Sequence, residues 1–195
     1  MSALAPVLPL TNVIRPGAEP VRQGEPCSGL FVIETGVLRS SRVAHDGRRL
    51  GELLGPADAI GGTEGVPSPV TVRALRACRL RAAMPHERAA LLDARSARAF
   101  ALAHEMAWLG VTERVERRLL ETAARFGGPV PEGGFGLGVR LTQEDLAEIA
   151  GCARESANRA VRDLVAAGRL CTAGRGRYVL PGPSAVPGMS AEGRR

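Results

Sequence analysis

From Gly151 to Arg162 the sequence reads Gly-Cys-Ala-Arg-Glu-Ser-Ala-Asn-Arg-Ala-Val-Arg, with its polar residues at helical spacing. Arg154, Glu155, Asn158, Arg159 and Arg162 fall on one stripe of a helix, and Ala157, Val161 and Leu164 on the opposite one. Residues 154–180 hold six arginines and two acids, a local excess of +4 in a chain of net charge +6. Guanidinium groups gathered on one stripe suit an anionic partner, and nucleic acid is the first candidate. The other reactive side chains show no such grouping. Cys27, Cys78, Cys152 and Cys171 stand far apart without a Cys-x-x-Cys pair, and His45, His86 and His104 are equally scattered. This spacing excludes a zinc finger and gives no clustered ligands for an iron–sulfur centre. The cysteines read as small buried or half-buried thiols. No metal, cofactor or catalytic residue is assigned, and the chain is not expected to be an enzyme. A cupin-like metal enzyme, the alternative of another class, needs several histidines converging in a β-barrel, and the β-rich part of this chain has only His45.

A basic stripe can act only if something holds it outward. Leu141-Thr142-Gln143-Glu144-Asp145-Leu146 predicts a helix start, with Thr142 as N-cap and Asp145 three residues on completing a capping-box-like pair. Gly151 can take the left-handed turn conformation, and Ala147 is small enough for two helices to cross closely. Leu146, Ala150, Cys152, Ala157, Val161 and Leu164 are expected to face inward. The pattern is a helix-turn-helix. Leu170–Leu180, with glycines at 174 and 176, then predicts a two-stranded wing.

Residues 15 to about 84 read as short strands: Leu30–Ile33, Val37–Arg39, Val70–Val72 and Cys78–Leu80, with Asp46-Gly47 as a hairpin signal. Such spacing suggests a small sandwich or barrel. From Glu87 to Phe126 there is no proline, and alanine, leucine and arginine dominate, which favours helix. Phe100, His104, Ala107, Trp108 and Val111 share one face, Gly110 breaks or bends the run, and Val115, Leu119, Ala123 and Phe126 form the next stripe. Residues 127–139 read as a flexible Gly/Pro linker, and the tail from Pro181 as disordered. All 26 basic residues are arginine, and hydrophobic residues make up 45% of the 195, an ordinary balance that argues against wholesale disorder. The six aromatic residues are too few for a single-strand binder, which stacks bases on aromatic platforms. No apolar run approaches a membrane span and the N-terminus does not read as a signal peptide, so a cytoplasmic location is expected.

At these residues the sequence resembles the Crp/Fnr family of bacterial transcription regulators. Gly151–Arg159 matches the family's Gly-Cys-Ser-Arg-Glu-Thr-x-x-Arg recognition segment. Gln23-Gly24-Glu25, Leu30–Ile33, Gly36 and Asp58-Ala59-Ile60-Gly61 fall where the family's cyclic-nucleotide-binding jelly roll has them. The resemblance spans roughly residues 15–180. It implies an α+β chain: a jelly-roll sensor-like domain over 12–86, connecting and dimerisation helices over 87–126, a winged helix-turn-helix over 127–180, and the tail 181–195. It further implies that Arg154, Glu155 and Arg159 read base edges in a palindromic double-stranded DNA site with TGTGA-like half-sites. Arginine can pair with guanine O6 and N7, and glutamate accepts from cytosine N4. Asn158 and Arg162 are expected on bases or phosphates, and Thr142, Gln143, Arg175 and Arg177 on phosphates. The implied state is a homodimer, with RNA polymerase as a possible partner and no membrane.

The sequence departs from the family in two places. In the phosphate-binding cassette, Gly62 stands at the glutamate position, and Ser68 and Pro69 at the arginine and hydroxyl positions, leaving a degenerate cassette of Gly61, Gly62, Ser68 and Pro69. The expected effector is therefore not a cyclic nucleotide. A cyclic-nucleotide-responsive regulator, or one acting through Cys27 or Cys78 as redox sensor, is the alternative within the family. The connecting helix is also shortened, so Phe100, His104, Ala107 and Val111 either pair across a reduced dimer seam or pack on the β-domain. An adaptor that has lost DNA recognition is disfavoured by the intact Arg154-Glu155-Arg159 set.

Overall fold

A computed structural model describes residues 11–182 except Glu132 and Arg175, with the side chains of Thr11 and Asn12 also outside the description. The expectation for Arg175, and that for the tail from residue 183, thus lie outside the described residues. The chain divides after Ala107 into two compact units, each described by itself.

In the first unit, strands β1 (Thr11–Ile14), β2 (Leu30–Thr35), β5 (Ala59–Gly61) and β7 (Cys78–Ala82) form one antiparallel sheet in the order β1-β7-β2-β5. Strands β3 (Leu38–Val43), β4 (Arg49–Leu54) and β6 (Thr71–Ala74) form a second, ordered β4-β3-β6. The apolar run of β2 is continuous because both its faces are covered. Phe31 and Ile33 join Leu38, Leu54, Ile60, Val72 and Leu80 in one buried cluster. Leu30 and Val32 point the other way, into a cluster with Ala59 and Ala83 against which Leu91 packs. Leu91 belongs to helix α1 (Arg88–Trp108), which follows a short 3-10 turn over Pro85–Glu87. The β3–β4 hairpin turns through Ala44–Arg48. Of the Asp46-Gly47 pair only Gly47 has positive φ, and Asp46 instead ties the turn by accepting from the Arg48 amide at 3.1 Å. The connection is a longer loop rather than the two-residue turn that needs both residues left-handed.

In the second unit, helices α2 (Val111–Phe126), α3 (Gln143–Ala150) and α4 (Arg154–Ala166) pack on one another. Gly110 is the N-cap of α2, so the helical run breaks where the sequence suggested. Val115, Leu119 and Ala123 of α2 are buried with Leu146, Ile149, Ala157, Ala160 and Leu164. Beside the helices lies a four-stranded antiparallel sheet, β10-β11-β9-β8, made of β8 (Gly128–Pro129), β9 (Phe135–Gly136), β10 (Cys171–Thr172) and β11 (Tyr178–Leu180).

Two of these strands correct the reading of 127–139 as a flexible linker. Gly128↔Gly136 and Pro129↔Phe135 pair, and Phe135 and Gly136 pair onward to β11. The glycines here serve close approach. A Cβ at Gly138, whose φ is +69°, would sit 1.8 Å from the Phe126 carbonyl oxygen, and one at Gly127 would sit 2.3 Å from that of Gly136. Composition alone does not separate a glycine that frees the chain from one that lets two backbones touch.

Candidate nucleic-acid interface

The helix-turn-helix is built as its local sequence requires. The Thr142 hydroxyl accepts from the Asp145 amide at 3.0 Å, and the Asp145 carboxylate accepts from the Thr142 amide at 2.8 Å and its hydroxyl at 2.7 Å. This reciprocal cap satisfies donors that a helix start leaves open. Gly151 closes α3 in the left-handed conformation with φ 61° and ψ 48°, and its amide bonds back to Ala147 and Glu148. Ala147, Ala150, Ala157 and Ala160 are all buried, which allows α3 and α4 to approach closely. Cys152, expected to face inward, is only half-buried, and burial pushes its thiol pKa up.

Facing away from that core, Arg154, Glu155, Arg159 and Arg162 are exposed and Asn158 is half-buried. The five residues form one polar stripe along α4. The N-cap of α4 is Ala153, whose side chain has no acceptor for the helix's first amides. Two of the three acids of α3 are buried. Asp145 and Glu148 are buried, Asp145 in the cap, leaving Glu144 as the exposed acid of α3.

A groove of about 820 Å³ lies between the start of α3, the start of α4 and the wing, lined by Thr142, Gln143, Arg154, Thr172 and Gly176 among others. Of the three described residues assigned to phosphates, Thr142 and Gln143 meet in it. The Thr142 hydroxyl donates to Asp145 within the cap that orders α3, and Thr142 is exposed beside the groove. Gln143 is different. Its Oε1 is buried with no hydrogen-bond partner among the described residues. Turning the amide would present an N–H₂ donor in its place. Arg177 is exposed at the wing. The groove also takes in Arg140, which sequence reasoning passed over. Its signal was present: a basic residue two positions before a capping Thr stands beside the helix start that the cap defines.

The first unit carries a second concavity. A pocket of about 390 Å³ is lined by Cys27, Gly61, Gly62, Pro69, Leu92 and Arg95, among others. Gly61, Gly62 and Pro69 of the degenerate cassette thus meet at it, and Ser68 does not. Ser68 is buried, donates its hydroxyl to the Val70 carbonyl at 2.8 Å, and accepts from the Val70 amide at 3.2 Å. The sequence reading missed the arginines of α1. Arg95 donates to the Gly61 carbonyl at 2.9 Å, and Arg98, one turn on, pairs with Asp58 at 3.0 Å and Glu52 at 3.5 Å. Burial pushes the Glu52 carboxyl up despite the nearby Arg98. Cys27 and Cys78 are both buried, and burial raises the Cys78 thiol, whose Sγ donates to the Arg76 carbonyl at 3.0 Å. No group of three or more metal-ligating side chains occurs among the described residues, and no helix there is long and apolar enough to cross a membrane.

Comparison with known proteins gives the same two parts. A cyclic nucleotide-binding domain family matches residues 11–95, and a Crp-like helix-turn-helix domain family matches residues 113–185. A CRP-like cAMP-activated global transcriptional regulator of Mycobacterium tuberculosis is 28% identical over 172 residues, covering 78% of this chain and 76% of that protein. A CRP/FNR-family transcriptional regulator from Thermus thermophilus has the same fold, with a TM-score of 0.77 at 21% identity, over 88% of this chain and 93% of that one. The c-di-GMP responsive global regulator CLP of Xanthomonas campestris superposes with a TM-score of 0.73 at 23% identity, over the same shares of the two chains.

Proposed function

The chain belongs to the Crp/Fnr family of transcription regulators and carries that family's helix-turn-helix DNA-binding domain, and from this premise we propose that it reads a palindromic double-stranded DNA site as a homodimer. The observation that carries the reading is the outward stripe of α4. Arg154, Glu155 and Arg159 are exposed on one face of a helix whose other face is buried, with Asn158 and Arg162 beside them. In this reading Arg154 and Arg159 pair with guanine and Glu155 with cytosine, and Asn158 and Arg162 reach bases or phosphates. Gln143, Arg140, Arg175 and Arg177 hold phosphates and fix the register. Thr142 caps α3 and, exposed at the groove, is assigned to a phosphate with them. Two-fold symmetry of the site calls for two copies of the chain. RNA polymerase is the protein partner a regulator bound beside a promoter would touch, and the place of action is the cytoplasm.

The effector in this proposal is not a cyclic nucleotide. Pro69 has no N–H to offer, no carboxylate among the described residues lines the pocket, and one donor of its arginine is engaged with the Gly61 carbonyl. Activation by a cyclic nucleotide remains the second reading, because residues 11–95 match that domain family. Selection of bound fragments from genomic DNA, with and without cyclic AMP or cyclic GMP, tests both. A palindromic consensus with TGTGA-like half-sites, enriched equally in all conditions, is expected. Enrichment that depends on the nucleotide overturns the effector assignment, and absence of a two-fold consensus overturns the homodimeric reader.

A further inference from the structure

One guanidinium in the second unit does something that the DNA-reading stripe does not account for. Arg114 lies in the first turn of α2 and is half-buried. Its Nε donates to the Ala150 carbonyl at 2.9 Å and one terminal nitrogen to the Gly151 carbonyl at 3.3 Å. The other terminal nitrogen donates to the Leu109 carbonyl at 2.8 Å. Ala150 is the last residue of α3 and Gly151 the left-handed turn residue after it, two positions before the N-cap of α4. Helix ends leave their last carbonyls without intrahelical donors, and they carry the negative end of the helix dipole. Arg114 therefore caps the C-terminus of α3 from a neighbouring helix, at the turn that sets where α4 begins. A second tie holds the far end of α4. Glu116, two residues along α2, pairs with Arg169 at 2.6 Å, just after the α4 C-cap Ala167. Val115, between the two, is fully buried.

We infer that Arg114 is a positioning residue for DNA reading: it fixes the turn, and with it the placement of Arg154 and Glu155, without touching DNA. The inference rests on the assignment of α4 as the base-reading helix. The physical case is one of geometry. A planar fork with five N–H donors can serve three carbonyls that lie in different directions at once. An ammonium on a flexible stem keeps the charge near the helix terminus but loses the fan of directions. The bond to Leu109 matters as well, because Leu109-Gly110 is the short connection that leads from α1 into α2. The connection and the turn before the recognition helix are thus held by the same side chain. Side chains that read bases need placement within a fraction of an ångström, whereas phosphate attraction tolerates looser geometry.

The test compares full-length wild type, Arg114→Lys and Arg114→Met on two duplexes, one recovered by selection with the wild-type protein and one scrambled. Binding is measured across a salt series. Arg114→Met is expected to lower the ratio of specific to scrambled affinity at least tenfold and Arg114→Lys to restore it only in part. Scrambled-duplex affinity and the salt slope are expected to stay within error of wild type. A ratio unchanged in both variants overturns the proposal. So does a slope reduced by about one, the mark of a lost phosphate contact. Equal loss on both duplexes overturns it too, since that is general damage to the unit. Arg114→Lys carries the test where Arg114→Met fails to fold. A wild type that does not distinguish the two duplexes removes the base-reading assignment itself, an outcome separate from failure of the positioning role.

Discussion

Arginine chemistry is used in several ways in this chain, and what surrounds each guanidinium decides which. Arg159 is exposed on α4 and free to meet a base edge. Arg159→Ala should weaken binding to the selected site by about 1–3 kcal/mol, roughly five- to 150-fold, and binding to random duplex far less. Competition titrations on the two duplexes measure this, and equal loss on both would sink the base-reading role. Arg81 is a structural counterpart. It makes two bonds to Glu87, at 2.6 and 2.7 Å, and Glu87 also accepts from the Met84 amide at 2.9 Å. The Arg81 guanidinium, aided by that amide, holds the Glu87 carboxyl at about 2 instead of 4.5. Since the folded value lies below the unfolded one, its contribution to stability is complete above about pH 4.5 and lost as pH falls toward 2. Glu87→Gln should therefore be less stable than wild type at about pH 6, with the gap closing by about pH 2, as followed by denaturant unfolding. The residues of the recognition stripe were legible in the sequence because their spacing is local. Arg114 was not, since its three acceptors are separated from it by up to 37 positions and no pattern of residue types marks a carbonyl as waiting for a donor.

At the level of elements, capping and turn chemistry were legible where they are written in a few consecutive residues. Thr142 with Asp145 and the left-handed Gly151 are local arrangements, and the structure has both. The strands β8 and β9 are not of this kind. They are two residues each and exist only because β11 and the end of α2 lie beside them. If those glycines mediate contact, Gly138→Ala should destabilise the second unit by at least about 2 kcal/mol, through both its left-handed φ and the clash with Phe126. Gly133→Ala is the control, because its Cβ would meet nothing within 4 Å although its φ is also positive. Thermal unfolding followed by circular dichroism compares them. Equal melting of the two variants would show that strain alone, and not close approach, explains the glycine at 138.

For the molecule as a whole, α1 bears on assembly. Only Glu105 of its 21 residues is buried, and Phe100 and Trp108 are 78% and 76% exposed. Phe100 is not packed on the β-domain, and in the proposed homodimer a second copy of α1 would cover it. Phe100→Glu should raise the dimer dissociation constant about ten- to hundredfold, given the stabilisation from burying an aromatic side chain. Light scattering across a dilution series reads this, and an unchanged dimer would move the seam elsewhere. By itself the sequence determined the helix-turn-helix, its outward basic stripe and the β-rich first unit. Each follows from residue types at short, regular spacing, where periodicity and caps act within one element. Only the tertiary structure decided that Gly128–Pro129 and Phe135–Gly136 are strands, that Arg95 and Arg98 fasten α1 to β5 and the residues near it, and that Arg114 binds the turn before α4. Those depend on backbone groups brought together from distant positions, and a backbone carbonyl has the same identity at every residue until the fold gives it a neighbour.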